Sequence, residues 1–219
     1  FTITMNNKFL KFILLLIISC LCTACIPNKA SNTAPALTIE NYTFFGEKQA
    51  VNIPSVPKKA IICGTSAIDT LIALDAQNSV AAVVLTENAN PNAYKNILPH
   101  SEVFTQPLQI EYVVALQPDF IVGWRRFFAE TQLGNTTNWI KNGIPAYIQD
   151  ASGPIPAKGN FPPCTIESEL TFIRNMGIIF NKAEKATAIT NKIQEQLLQL
   201  RQLPTENNKV LFIEFLNGN

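Results

Sequence analysis

The stretch Ile110-Glu111-Tyr112-Val113-Val114-Ala115-Leu116-Gln117-Pro118-Asp119-Phe120-Ile121-Val122-Gly123 decides the fold. Its apolar positions 110, 113, 114 and 116 fall near one helical stripe, and Gln117-Pro118-Asp119 stops the helix, because proline offers no backbone N–H and clashes with the preceding turn. Phe120-Ile121-Val122-Gly123 is short and apolar throughout, the pattern of a strand buried on both faces of a parallel sheet. A helix that turns sharply into such a strand is one unit of an α/β fold.

The unit recurs on both sides. Upstream, Ala60-Ile61-Ile62-Cys63 is another buried strand, and Gly64-Thr65 turns into Ser66-Ala67-Ile68-Asp69, read as a capping box that starts a helix running to Leu74. Residues 80–85 form a further strand, and the polar residues 86–92, with Pro91, a long loop. Downstream, Trp124-Arg125-Arg126-Phe127-Phe128 is delivered to the carboxyl edge of the sheet, residues 130–141 read as a helix closed by Asn142-Gly143, and Ala146-Tyr147-Ile148-Gln149 is the next strand. After a Gly and Pro loop over 152–163, a helix is predicted from Thr165 to Met176, stopped at Gly177. Residues 182–203 contain neither Gly nor Pro, and Ala186, Ile189, Ile193, Leu197 and Leu200 repeat at helical spacing, giving a rod of roughly 33 Å. Lys209-Val210-Leu211-Phe212-Ile213-Glu214-Phe215 reads as the first strand of a new unit.

The expected architecture is therefore α/β: an open parallel-sheet lobe with flanking helices, a long inter-lobe helix, and the first strand of a mostly missing second α/β lobe. Residues 25–57 are assigned to a tether and edge segment, with an edge hairpin over 36–45 and breaks at Pro54 and Pro57. The ligand-binding lobe is expected over 58–180, the connecting helix over 181–204 and the start of the second lobe over 205–219. Ligands of such sheets sit outside the carboxyl ends of the strands.

Composition narrows the function. The chain has 219 residues, 47% of them hydrophobic and 15% charged, with 14 Pro and 9 Gly, which excludes disordered, collagen-like and coiled-coil classes. A formal net charge of +1 gives no field to hold a polyphosphate backbone, so nucleic acid is not an expected partner. One histidine, His100, rules out a multi-His metal site and leaves nucleophilic catalysis a single candidate base; in its loop after Pro99 it is expected to face solvent.

The amino end is an address. Lys8 and Lys11 precede the apolar run 12–18, too short to span a bilayer, and Thr23-Ala24-Cys25 resembles a bacterial lipobox, departing from it at Cys22 where leucine is usual. Residues 1–24 are read as a lipoprotein-type signal peptide, with Cys25 lipidated and Cys20 the weaker candidate; two acyl chains would give stable anchoring. Cys63 and Cys164 are expected as free thiols.

Residues 58–69 and 111–124, Gly143-Ile144-Pro145 and the long rod before a new strand together resemble the solute-binding proteins of iron-chelate and vitamin B12 ABC importers. The most specific part is Ala115-Leu116-Gln117-Pro118-Asp119-Phe120-Ile121-Val122. The resemblance implies two α/β lobes joined by one long helix, with the ligand in the cleft between them. This sequence departs from the family by ending after the first strand of the second lobe, so a fragment is expected. Implied partners are an ABC permease and its ATPase, a siderophore, haem or cobalamin as cargo, and a membrane reached through the lipid anchor, in the periplasm or on the outer face of the cell membrane. A monomer without catalysis or cofactor is expected, iron or cobalt belonging to the cargo. The rivals are a surface lipoprotein fragment that does not transport, and an α/β enzyme, for which neither G-x-S-x-G nor a P-loop is present.

Trp124, at the end of a buried strand, is the expected aromatic wall for a macrocycle or chelate, and vitamin B12-binding members carry a tryptophan before an arginine at the matching place. Arg125 and Arg126 suit propionates, phosphates or carboxylates, with a solvated loop charge as the alternative. Thr65 and Ser66, beside Gly64, could hold an anionic group at a helix start, although plain capping by Ser66 explains the same residues. Thr86, Glu87 and Thr105 could line the same cleft, Gln149 alternates with Tyr147 along its strand, and Tyr147 reads as core. Glu111 suits the helix dipole, and the resemblance implies that it pairs with arginines of the permease.

Overall fold

The computed structural model describes residues 36–152 and 164–202. Cys20, Cys25 and the strand expected over 209–215 lie outside them. The described chain opens with an antiparallel hairpin, β1 (Leu37–Tyr42) and β2 (Lys48–Ile53). A parallel sheet follows, built from β3 (Ala60–Cys63), β4 (Val80–Val84), β5 (Glu102–Phe104), β6 (Phe120–Gly123) and β7 (Ala146–Ile148) in the order β5-β4-β3-β6-β7. The helices are α1 (Thr65–Ala73), α2 (Pro91–Ile97), α3 (Ile110–Leu116), α4 (Thr136–Lys141), α5 (Ile166–Ile179) and α6 (Ala183–Arg201).

Every residue of β3, β6 and β7 is buried, as the unbroken apolar runs require of strands covered on both faces. Alternate residues serve opposite layers. Ile62, Val122 and Tyr147 join a cluster with Ile68 and Leu71 of α1 and Phe172 and Met176 of α5. Ile61, Ile121 and Ile148 face a second cluster with Val113 of α3, Phe127, Phe128 and Trp139 of α4.

The Gln-Pro-Asp turn has a specific task. Gln117 caps α3 in the left-handed region at φ 51°, and the Asp119 carboxylate accepts hydrogen bonds from the backbone N–H of Lys58 (2.7 Å) and Lys59 (2.9 Å). One side chain thereby ties the entry of β6 to the entry of β3, its register partner.

Several expectations are corrected. The edge hairpin expected over 36–45 is longer, running from Leu37 to Ile53, and it is not only an edge, because Val51 and Ile53 belong to the core. The capping box at Ser66 does not form: Gly64 is the N-cap of α1 with no side-chain cap bond, and Asp69 instead accepts from the Tyr94 hydroxyl. The loop expected over 86–92 forms but ends at Asn90, whose side chain caps α2 with Pro91 in its first turn, and the short edge strand β5, which the sequence reading did not assign, follows α2. Of the helix expected over 130–141 only Thr136–Lys141 forms; Arg125–Phe128 is a 3₁₀ turn, and Gly134 at φ 74° followed by the Asn135 cap sets the start. Gly177 does not end α5, which continues to Ile179. A Cβ at 177 would lie 2.3 Å from the Ala186 Cβ, so this glycine permits close packing of α5 on α6. Along α6, Ala186 is buried and Ile189 half-buried, whereas Leu198 and Leu200 are exposed.

Both edges of the sheet are short. At β7, the buried Asn41 side chain of β1 stands in for a neighbouring strand: its Nδ2 donates to the Ile148 carbonyl (2.9 Å) and its Oδ1 accepts from the Ile148 N–H (2.8 Å).

Candidate functional site at the carboxyl edge of the sheet

The strand order runs from β3 to β4 and β5 on one side and continues with β6 and β7 on the other, so the topological switch point lies between β3 and β6. Open α/β sheets hold ligands in the crevice outside the carboxyl ends at such a point. Here β3 ends at Cys63, followed by Gly64-Thr65-Ser66, and β6 ends at Gly123, followed by Trp124. Gly123 is required by the neighbouring strand: a Cβ there would meet the Cys63 carbonyl and Cβ at 2.6 Å. That close approach belongs to the sheet and not to a ligand.

The half-buried Trp124 indole crosses the crevice and lies against Gly64, whose φ of 108° and missing side chain leave room for it; a Cβ would come within 3.3 Å of the indole Cδ1. Trp124 Nε1 donates to Ser66 Oγ (2.7 Å), and Ser66 Oγ donates to Gln149 Oε1 (3.0 Å). The hydroxyls of Thr65 and Thr86 hydrogen-bond each other at 2.8 Å across the ends of β3 and β4.

The two arginines diverge. Arg125 is half-buried and its guanidinium lies over the Phe44 ring at 5.6 Å, where loss of solvation holds its pKa below the ordinary arginine value. Arg126 is exposed and stacks on Trp124 at 5.0 Å and on Phe127 at 5.2 Å. Glu87, Thr105 and Arg126, with Gln132, line a cavity of about 150 Å³. A larger hollow of about 390 Å³ between α5 and α6, lined by Ile166, Leu170, Leu197 and Leu198, shares no residue with it.

Trp124, Thr65, Ser66 and Thr86 are thus gathered at one edge, with Glu87, Thr105 and Arg126 around the neighbouring cavity. Glu111 is exposed on the first turn of α3, and His100 is exposed in its loop. Cys63 is a free thiol inside β3, its pKa driven up by burial, and Cys164 is free and exposed. Among the described residues no group of three or more His, Cys, Asp or Glu could hold a metal ion, and no helix is long and apolar enough to cross a membrane.

Beneath the edge is a polar layer that the sequence reading missed beyond naming Tyr147 and Gln149. The Tyr147 hydroxyl donates to Asp150 Oδ2 (2.6 Å) and accepts from Asn175 Nδ2 (2.6 Å). Burial raises the Asp150 carboxyl to about 6, and nearby Glu169 adds to the rise while the Tyr147 bond opposes it. Gln149 Nε2 donates to Glu169 Oε2 at 3.3 Å. Nothing local marks these positions as joined.

No family model and no curated protein matches the chain. Solved structures do. A periplasmic binding protein from Veillonella parvula has a TM-score of 0.63 at 23% identity, covering 75% of this chain and 52% of its own. An ABC-type Fe3+-hydroxamate transport system structure from Saccharomonospora viridis gives 0.58 at 18%, covering 76% and 56%. The petrobactin-binding protein YclQ from Bacillus subtilis gives 0.52 at 19%, covering 76% and 53%. The chain spans about half the length of each of these structures. At these identities the likeness is one of fold: the described residues share their α/β fold with about half of each of these structures.

Proposed function

We propose that the chain belongs to the solute-binding component of an ABC importer, exported and lipid-anchored at Cys25, which captures a ferric chelate and delivers it to a permease and its ATPase. Haem and cobalamin are the other cargoes of this reading. The observation that carries it is the convergence of Trp124, Thr65 and Thr86 at the β3/β6 switch point, in a fold shared with structures named for Fe3+-hydroxamate transport and petrobactin binding. Those two names favour an iron chelate over cobalamin. An aromatic ring beside a cation suits a flat or anionic chelate, and Arg126, the more exposed of the pair, supports that role better than Arg125.

Native mass spectrometry of the complete gene product purified from its host tests the reading. A retained ferric chelate, haem or corrinoid is expected. Recovery of none, together with no quenching of tryptophan emission by ferric hydroxamate, ferric catecholate, haem or cobalamin, would sink it. For the cargo that does bind, Trp124→Ala removes apolar contact area and is expected to cost about 1 to 3 kcal/mol, roughly five- to 150-fold in affinity. Unchanged affinity would return Trp124 to a packing role.

The anchor and the docking role have their own tests. Cys25→Ser is expected to release the protein from membranes; if labelled lipid persists there and disappears only with Cys20→Ser, the anchor is Cys20. Glu111 stands exposed on a first turn whose N-cap, Gln109, makes no side-chain cap bond, free to meet a basic partner. Glu111→Ala is expected to weaken ligand-stimulated ATPase activity of the assembled importer with ligand affinity unchanged, and a large loss of ligand affinity would defeat that division of roles.

A further inference from the structure

We infer that Ser66, Gln149 and Glu169 are positioning residues: a one-way hydrogen-bond relay through them locks the Trp124 indole across the switch-point crevice. That the locked indole serves ligand capture rests on the function proposed above; the lock itself rests on geometry.

The direction of the relay follows from the chemistry of its members. An indole N–H can only donate, so the Ser66 oxygen, 2.7 Å away, must accept from it. The hydroxyl proton of Ser66 is then directed to Gln149 Oε1 at 3.0 Å. That contact fixes which way the Gln149 amide faces, and its Nε2 donates to Glu169 Oε2 at 3.3 Å. A carboxylate accepts and completes the chain. Four elements are joined in this way: the end of β6, the start of α1, the end of β7 and the first turn of α5.

Ser66 has no competing duty. Its side chain gives α1 no cap, because Gly64 is the N-cap and no side-chain cap bond is made there. Its hydroxyl both accepts and donates within the relay, which leaves it poorly suited to bind a ligand directly. Gln149 is 1% exposed, so its amide has no water to turn to and must keep these partners. An indole held this way has already given up its side-chain freedom, and a ligand stacking on it would not bear that ordering cost.

Hydrogen exchange of the two indole N–H groups, read by NMR on the ligand-free chain and assigned with Trp124→Phe, tests the relay. Ser66→Ala is expected to speed exchange at Trp124 roughly fivefold, the factor matching a net hydrogen bond of about 1 kcal/mol. Ser66→Thr, which restores a hydroxyl, is expected to return most of the protection. Trp139, whose Nε1 donates to the Leu133 carbonyl, should keep its rate in both. If Ser66→Ala fails to fold, Glu169→Ala, at a half-buried position in α5, carries the test, with a smaller acceleration confined to Trp124. An unchanged Trp124 rate, or equal acceleration at Trp124 and Trp139, overturns the inference. Because no ligand is present, that failure leaves the proposed function standing, and failure to recover a chelate leaves the relay standing.

Discussion

Replacing Asn41 by alanine is expected to remove about 4 kcal/mol of stability, because the substitution strands two buried backbone groups at once. Asn41 is fully buried, and its amide is the partner of both the N–H and the C=O of Ile148 on the outer strand β7. Ile148 is itself fully buried, so water cannot replace the lost bonds without opening the edge between the hairpin and the sheet. Each unsatisfied group costs roughly 1 to 3 kcal/mol, and the cavity left by the side chain adds to the total. Asn41→Asp is expected to be nearly as damaging: it keeps an acceptor for the Ile148 N–H but sets a carboxylate oxygen against the Ile148 carbonyl. Urea denaturation should show the loss as a lowered midpoint, and exchange of the Ile148 amide should quicken more than that of amides in β3. A change below about 1 kcal/mol would mean that the edge is closed by something other than this amide.

The same residue shows where sequence reading stops. Ala60-Ile61-Ile62-Cys63 and Phe120-Ile121-Val122-Gly123 announce themselves because burial on both faces leaves no polar alternation, a property of each run alone. The Pro118-Asp119 turn is legible for the same reason, although the work of its carboxylate, 61 and 60 positions from the N–H groups it holds, is not. Asn41 and Ile148 are 107 positions apart, Ser66 and Gln149 are 83 apart, and Trp124 and Ser66 are 58 apart. An Asn in a polar strand and a Ser near a helix start have ordinary local explanations, and only the folded neighbourhood displaces them. Ser66 fits a capping box by its spacing to Asp69; in the fold the helix has already begun at Thr65 with Gly64 as its N-cap, and the Ser66 hydroxyl bonds Trp124 and Gln149. Gly177 failed in the opposite direction, its local role as a helix stop overridden by the close approach of Ala186. Asn90-Pro91 carried a readable start signal for α2, which the loop assignment passed over. Of the site, the position of Trp124 at the strand end was legible, and its orientation was not.

Asp150→Asn is expected to stabilise the protein at neutral pH by about 3 kcal/mol and to flatten its stability between pH 4 and 6.5. Burial of the Asp150 side chain, with the nearby Glu169 carboxylate adding to it, outweighs the bond accepted from the Tyr147 hydroxyl and raises the carboxyl from 3.8 to about 6. Above pH 6 the folded chain therefore holds a charge that burial disfavours, whereas the unfolded chain bears the same charge in water at little cost. The sign follows from proton binding. Between pH 4 and 6 the folded state retains a proton that the unfolded state has released, so this group's contribution is full below pH 4 and is lost as pH rises to about 6. An upward shift of about two pH units corresponds to roughly 3 kcal/mol. Asparagine keeps an oxygen to accept from Tyr147, carries no charge at any pH, and offers a donor toward Glu169 in place of a repulsion. A rise in melting temperature of roughly 8 °C at pH 7.5, shrinking to nothing near pH 4, is the expected calorimetric result. An equal shift at both pH values would show that the gain comes from packing and not from charge. No shift at either would show that Asp150 is solvated enough to ionise freely, and the Tyr147 bond would then be the whole of its role.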